Sequence, residues 1–358
     1  MKPLARIHEL DAASGRSESA DSSPDRSPRE AFRASVVICT GADERWSGTR
    51  EAVESIGRQT LEPLEMFVVV NHNPQLLARA RHELADASVL ENRGPPGLFA
   101  ARNTGIAHSV GDIVAFLGDD TIATPHWLEQ LVGGYRFHSV VGVGGSIVPI
   151  WPGPRPRHLP RELDWVLGYA YDGFPATAGR VRTLMGANMS FRRAALLSIG
   201  GFRACDGQDG RYAATVEEID ACIRLARATP NGLLLYDPGA VVHQRFARDR
   251  ADLRSLSARC YAQGRLKARL SAELQCARGG AGKQTTRRTF PRELTAVLRS
   301  VLRRDASALG RAGIIALGRF MTATGYFAER SSNVCAGLNG CLASGKWKPA
   351  IESETPSE

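Results

Sequence analysis

The feature that most constrains this chain is an alternation of two periodicities between residues 34 and 117. Short apolar or β-branched runs stand at Ala34–Thr40 (ASVVICT), Glu65–Val70 (EMFVVV), Val89–Leu90 and Ile113–Leu117 (IVAFL). Between them lie stretches with helical spacing: Thr49–Gln59, with Ala52, Val53 and Ile56 on one face, then Gln75–Leu84 and Ala100–Ser109. A run that is apolar throughout suits a strand covered on both faces. Strands of that kind alternating with helices build a parallel sheet with helices on both sides, an α/β fold. Ligands of open α/β sheets bind beyond the carboxyl ends of the strands. Two such ends carry polar groups here: Asn71-His72-Asn73-Pro74 and Gly118-Asp119-Asp120. Adjacent carboxylates at a sheet edge can hold a hard divalent cation, which neutralises a diphosphate. A polar strand-to-helix turn has the same composition.

The alternation continues less regularly. Pro125–Tyr135 reads as a helix and Val140–Ile150 (VVGVGGSIVPI) as a strand. Trp151–Pro160 (WPGPRPRHLP) holds too many prolines for a regular element and reads as a surface loop. Trp151, Trp165, Tyr169 and Tyr171 surround it, either to stack on a sugar ring or to be buried. Leu184–Phe191 reads as a strand and Arg192–Ile199 as a helix closed by Gly200-Gly201. Glu217–Ala228 is amphipathic and opens on two acids, which suit a helix N-terminus. Two short strands, Leu233–Tyr236 and Ala240–His243, flank an Asp237-Pro238-Gly239 turn.

Composition sets the limits around this unit. Residues 1–33, rich in Ser, Asp, Arg and Pro, lack periodicity and read as a disordered tail. Residues 34–245 form the α/β unit, 246–330 a basic helical region, and 331–358 a second tail. In the basic region, apolar residues recur at helical spacing over Leu253–Leu274 and Leu294–Leu309. Its basic face suits an anionic membrane surface or plain solvent. The net charge of +9 favours an anionic partner. No aromatic-interleaved RNA motif or recognition helix accompanies that charge, so nucleic acid is not expected. Seven scattered cysteines without a CxxC pair indicate free thiols in a reducing compartment and no zinc site. No apolar leader core is visible, and the longest apolar stretch, Ala312–Phe327, is broken by Arg319. The expected location is cytoplasmic, peripheral to the inner face of the cell membrane.

Seven separated segments fit one order: ASVVICT, VVVNHN, ARNTG, FLGDD, GANMSFRR with GGF, VEEID and VVH. In that order and spacing the chain resembles family 2 glycosyltransferases of the GT-A fold, a Rossmann-like mixed sheet, over residues 34–245. ARCYAQGRLKARLS (Ala258–Ser271) extends the likeness into a helical C-terminal extension. There it is similar to prokaryotic enzymes resembling polyprenyl- or dolichyl-phosphate-sugar glycosyltransferases. The resemblance implies transfer of a sugar from a nucleoside-diphosphate sugar to a glycan or polyprenyl-linked acceptor, usually with inversion, assisted by Mg2+ or Mn2+.

Roles follow by position. Asp120 matches the last acid of the metal motif, with Asp119 assisting, and His243 completes the metal or diphosphate site. Thr40, Asn71 and Arg102 would meet the nucleotide, while Gly186, Ala187 and Asn188 line the donor sugar. Glu218 matches the usual general base, and Glu217 orients it or the acceptor. Two departures fall at the nucleotide end. Asn71 stands where the family has Asp, and Gly118 where it has an acid. They leave open a second reading, a catalytically silent nucleotide-sugar-binding protein on the same fold.

Overall fold

The computed structural model describes residues 32–156, 159–168, 177–204, 213–246, 252–277 and 306–335. The expected tails up to residue 31 and beyond 335 lie outside these, as do Tyr169, Tyr171 and the helical stretch from 294 to 305. The first half follows the sequence pattern closely. Strands β1 (Ala34–Thr40), β2 (Glu65–Asn71), β3 (Ser88–Asn92) and β4 (Ile113–Gly118) alternate with helices α1 (Trp46–Ile56), α2 (Pro74–Glu83) and α3 (Leu98–His108). Helix α2 starts sharply because Asn73 accepts from the Leu76 N–H at 3.0 Å and Pro74 follows at the first helical position. The four strands are mutually parallel in the order β3-β2-β1-β4. Both faces are covered, as the uninterrupted apolar runs require. Val36, Ile38, Val68, Val70, Ala115 and Leu117 join one core, and Val37, Phe67, Val69, Val114 and Phe116 the other.

The second half turns the sheet from parallel to mixed. A short strand, β5 (Thr121–Ala123), follows the acidic turn and was not visible in the sequence pattern. Helix α4 (Trp127–Gly133) is shorter than the spacing suggested and ends in a 3-10 turn at Gly134–Arg136. Strand β6 (Val140–Ile150) stands as expected, and a short β7 (Gly179–Val181) lies at the margin. Strand β8 covers only Asn188–Arg192, because Met185 and Asn188 bridge across a turn where the sequence suggested a strand from Leu184. Helix α5 (Arg193–Ser198) follows it. Helix α6 (Ala213–Ala228) begins one turn before Glu217, so the two acids lie inside the helix and do not open it. The two short strands expected near the end are one strand, β9 (Leu233–Arg245). Gly145 pairs with Asp237 and Ser146 with Val241, so the Asp-Pro-Gly segment is a bulge within β9 and no reversal of direction.

Direction matters most for β8. It runs antiparallel to β4, with Leu117 opposite Asn188. The residues entering β8, Gly186 and Ala187, therefore lie at the same edge as the acidic turn leaving β4, and the Gly118 N–H donates to the Ala187 carbonyl. The full order is β3-β2-β1-β4-β8-β6-β9-β5, with β7 on β9. Strand β1 sits where the chain stops adding strands on one side and starts on the other. That switch point opens a crevice between the ends of β1 and β4.

Beyond the sheet, α7 (Leu253–Ala277) and α8 (Ala306–Cys335) pack against each other. Their crossing is backbone to backbone: a Cβ on Gly264 would overlap the Thr322 carbonyl, and one on Gly325 the Tyr261 carbonyl. Arg265 of α7 reaches the buried Glu329 of α8 at 2.7 Å. Among the described residues, no helix is long and apolar enough to cross a membrane.

Candidate active site

The carboxyl ends of β1, β2 and β4, the entry to β8 and the inner face of α6 meet at one edge of the sheet. Its centre is an ion pair buried from water. Arg102, on the second turn of α3, donates from Nη2 to Glu218 Oε1 at 2.7 Å, both side chains under a tenth exposed. The other oxygen, Glu218 Oε2, accepts from the Gly186 backbone N–H at 2.9 Å. Gly186 has no alternative here, because a Cβ would fall on the Glu218 carboxylate and the Arg102 guanidinium. A charge-assisted pair backed by a backbone donor holds a carboxylate in one orientation. Arg102, expected against the nucleotide, is thus turned towards the acid pair, with its guanidinium over the Phe202 ring at 5.2 Å.

Glu217 is held differently. It is 3% exposed, and its Oε2 meets no hydrogen-bond partner within the protein. Burial pushes its carboxyl up to about 7, with Glu218 adding to the shift and Arg102 and the Phe99 N–H opposing it. Arg102 Nη1 is the other buried orphan at this place. A paired acid beside an unpaired one, joined to an arginine with a spare donor, can bind a hydroxyl and take its proton.

The acidic turn is divided too. Asp119 is buried and turns to Arg45, whose Nη1 lies 2.9 Å from its Oδ1. Burial raises its pKa, opposed by Arg45 and reinforced by Asp120, and the Thr40 hydroxyl lies against it. Thr40 itself is buried and accepts from Thr49 at 3.1 Å. Asp120 is partly open, and its Oδ1 accepts from Gln244 at 2.9 Å and from Thr121 at 3.2 Å. Gly118 is explained by space: a Cβ would sit 2.6 Å from the Thr121 hydroxyl and 3.2 Å from Asp120 Oδ1. An acid there would displace the turn that presents Asp120.

Three expected residues have their contacts set by the surrounding sheet. His243 lies in β9 opposite Ile122 and Val148, and it is Gln244 that reaches Asp120, since adjacent strand residues point to opposite faces. Among the described residues, no three His, Cys, Asp or Glu side chains come close enough together to hold a metal ion. Asn188 is fully buried. It accepts from Trp127 Nε1 at 2.8 Å and donates to the Ser146 and Ala240 carbonyls at 2.9 and 2.8 Å, which leaves its amide no hydrogen for a sugar. Asn71 lies at the end of β2, where its Oδ1 accepts from Asn92 Nδ2 at 2.7 Å. Arg45, Asn92, Trp127 and Gln244 were missed. Each is set by pairing across the sheet or by a loop crossing, for which no local spacing exists.

Comparison with known proteins decides the family. The model of Glycosyl transferase family 2 matches residues 35–200, from β1 to the end of α5. A glucosyl-dolichyl phosphate glucuronosyltransferase from Haloferax volcanii is 34% identical over 222 residues, 60% of this chain and 70% of that one. The chain is a family 2 glycosyltransferase. Its mixed sheet is the GT-A fold. A pre-mycofactocin glycosyltransferase from Mycobacterium tuberculosis is 32% identical over 158 residues, 44% of this glycosyltransferase and 32% of that one. Among solved structures, a mannosyltransferase from Pyrobaculum calidifontis in complex with GDP-Man and Mn2+ has a TM-score of 0.48 and 17% identity. It covers 94% of this chain and 83% of that one.

For the family's divalent ion, the donor set offers one suitable group. Asp120 is a partly exposed carboxylate just past the end of β4, whereas Asp119 is buried and engaged by Arg45. Magnesium commonly takes one or two carboxylates and completes its shell with water and substrate phosphates. The chemistry of Asp120 fits an ion of that kind, which would be held by this carboxylate together with water and substrate phosphates.

Proposed function

We propose that this glycosyltransferase moves a sugar from a nucleoside-diphosphate sugar to a hydroxyl of a polyprenyl- or dolichyl-phosphate-linked glycan, inverting the anomeric centre. The observation that carries the reading is the placing of two kinds of carboxylate at one sheet edge, across the β4–β8 junction. Asp120 stands beside the switch-point crevice, and the Glu217–Glu218 pair stands beyond Gly186. Inversion needs that arrangement, with charge neutralisation at the leaving group and a proton acceptor on the opposite face of the sugar. A divalent ion held by Asp120 would supply positive charge to the departing diphosphate. Arg102 fixes the acid pair, and the bare backbone of Gly186 lets the Glu218 carboxylate come close enough to accept its N–H. The similarity to a glucosyl-dolichyl phosphate glucuronosyltransferase from Haloferax volcanii supports a lipid-linked acceptor.

Membrane contact belongs to the same reading. On α8, Leu317, Phe320 and Phe327 are exposed at 39%, 63% and 66% along one face of the helix. With the chain's positive charge, they suit an anionic lipid surface that carries the acceptor. The alternative, a silent binding protein, draws support from the engagement of Asp119 by Arg45.

The test is nucleoside-diphosphate release from a panel of nucleotide sugars, with Mn2+ and with a polyprenyl-phosphate-linked glucose as acceptor. One donor should turn over, and only when acceptor and divalent ion are both present. Binding of a donor without turnover for any acceptor would establish the silent reading instead.

A further inference from the structure

Two adjacent glutamates on α6 have opposite surroundings. Both oxygens of Glu218 are engaged, Oε1 by Arg102 at 2.7 Å and Oε2 by the Gly186 N–H at 2.9 Å. A carboxylate so held has its basic lone pairs turned to fixed donors, and taking up a proton would break one of those bonds. Glu217 is equally buried, yet its Oε2 has no donor in the protein. Burying an unsatisfied carboxylate oxygen costs stability, and in a functional site such an atom marks a place for a ligand hydrogen.

We propose that Glu217, and not Glu218, receives the proton of the acceptor hydroxyl, and that Glu218 is a positioning residue that aligns Arg102 beside it. The inference rests on the transfer reading given above. In the step, the acceptor oxygen forms its bond to the anomeric carbon while the bond from that carbon to the diphosphate oxygen breaks. The electron pair leaves with the diphosphate, and the hydroxyl proton passes to Glu217 Oε2. Arg102 Nη1, the second orphan, supplies a donor and a positive charge for the carboxylate or the hydroxyl oxygen. The groups facing Glu217 are Arg102 and the Phe99 N–H from α3 and Glu218 from its own helix. Under them its carboxyl is pushed up to about 7, where a base is half ionised at neutral pH and retains its proton affinity.

The experiment compares wild type, Glu217→Gln and Glu218→Gln in the full chain, reading kcat, KM and the pH dependence of kcat/KM. Donor binding by calorimetry shows that each variant is folded. Wild type should lose activity below a midpoint near 7. Glu217→Gln should lower kcat by about 10²–10⁴-fold with donor affinity kept, and the residual rate should lack that acidic limb. Glu218→Gln should lose activity as well but retain the limb. A limb that disappears in Glu218→Gln and survives in Glu217→Gln overturns the assignment. Carboxyl titration of Glu217 by 13C NMR needs no turnover. A midpoint at the ordinary glutamate value would also overturn it, even in an active enzyme. Absence of transfer with every donor would sink the transfer reading and this inference together, whereas the NMR result separates the two.

Discussion

Glu217 makes the site unstable in a pH-dependent way. Its carboxyl is raised in the folded state, so between about pH 4.5 and 7 the native chain holds a proton that the unfolded chain has released. Stability therefore falls as pH rises through that window, by roughly 3 kcal/mol when the shift is taken whole. Glu217→Gln removes the titration and keeps the shape. Its melting temperature should exceed that of wild type at pH 8 and approach it at pH 4; equal differences at both values would contradict the burial argument. Gly186 gives a second expectation. Gly186→Ala forces apart the Arg102–Glu218 pair, so it should lower stability by about 3 kcal/mol, in the range for breaking a buried ion pair, and abolish transfer. Denaturant melts of the variant and wild type check the first, and the donor panel the second. At this scale the sequence was a partial guide. Asp120, Glu217, Glu218 and Gly186 stood out by position in an ordered set of segments, and they do gather at one edge. Asn188 stood out as strongly, yet it serves the core, because the identity of a side chain does not say which way its strand turns it. Arg45 did not stand out, since its role is set by a loop that crosses back over the end of β4.

Among the elements, those read from local periodicity agreed with the structure, and those depending on distant pairing did not. The β1–β4 unit repeats a strand and a helix at short range, and each boundary moved by only a few residues. Strand β9 was divided in the reading because Asp-Pro-Gly is a turn signal. Pairing with β6 on both sides of it keeps the strand in one direction and turns the signal into a bulge. Helix α6 extends further back because Ala213–Val216 carries no strong start signal, which left the acids looking like the beginning. The α7–α8 contact offers an element-scale expectation. Gly264→Leu would wedge the two backbones apart and cost on the order of 3 kcal/mol, the range for overpacking a tight contact. Circular dichroism melts should show this loss, while Gly310→Leu, where nothing lies within 4 Å, should change little.

Across the whole molecule, the charge is basic and the exposed apolar residues of α8 lie on one helix face. Full-length protein should co-float with vesicles rich in anionic lipid, and the double change Phe320→Ser and Phe327→Ser should reduce the bound fraction several-fold. Equal binding by the variant would show that charge alone accounts for the association. The molecule also has a mechanical property, which follows from Asn188. A single carboxamide ties α4 to the backbones of β6 and β9, and it does so at the strand that joins the acidic turn to Gly186. The sheet beneath Asp120 and Gly186 is therefore cross-braced at that point. Under the proposed reading, the spacing between the group that meets the diphosphate and the group that takes the proton is set when the chain folds, before either substrate arrives.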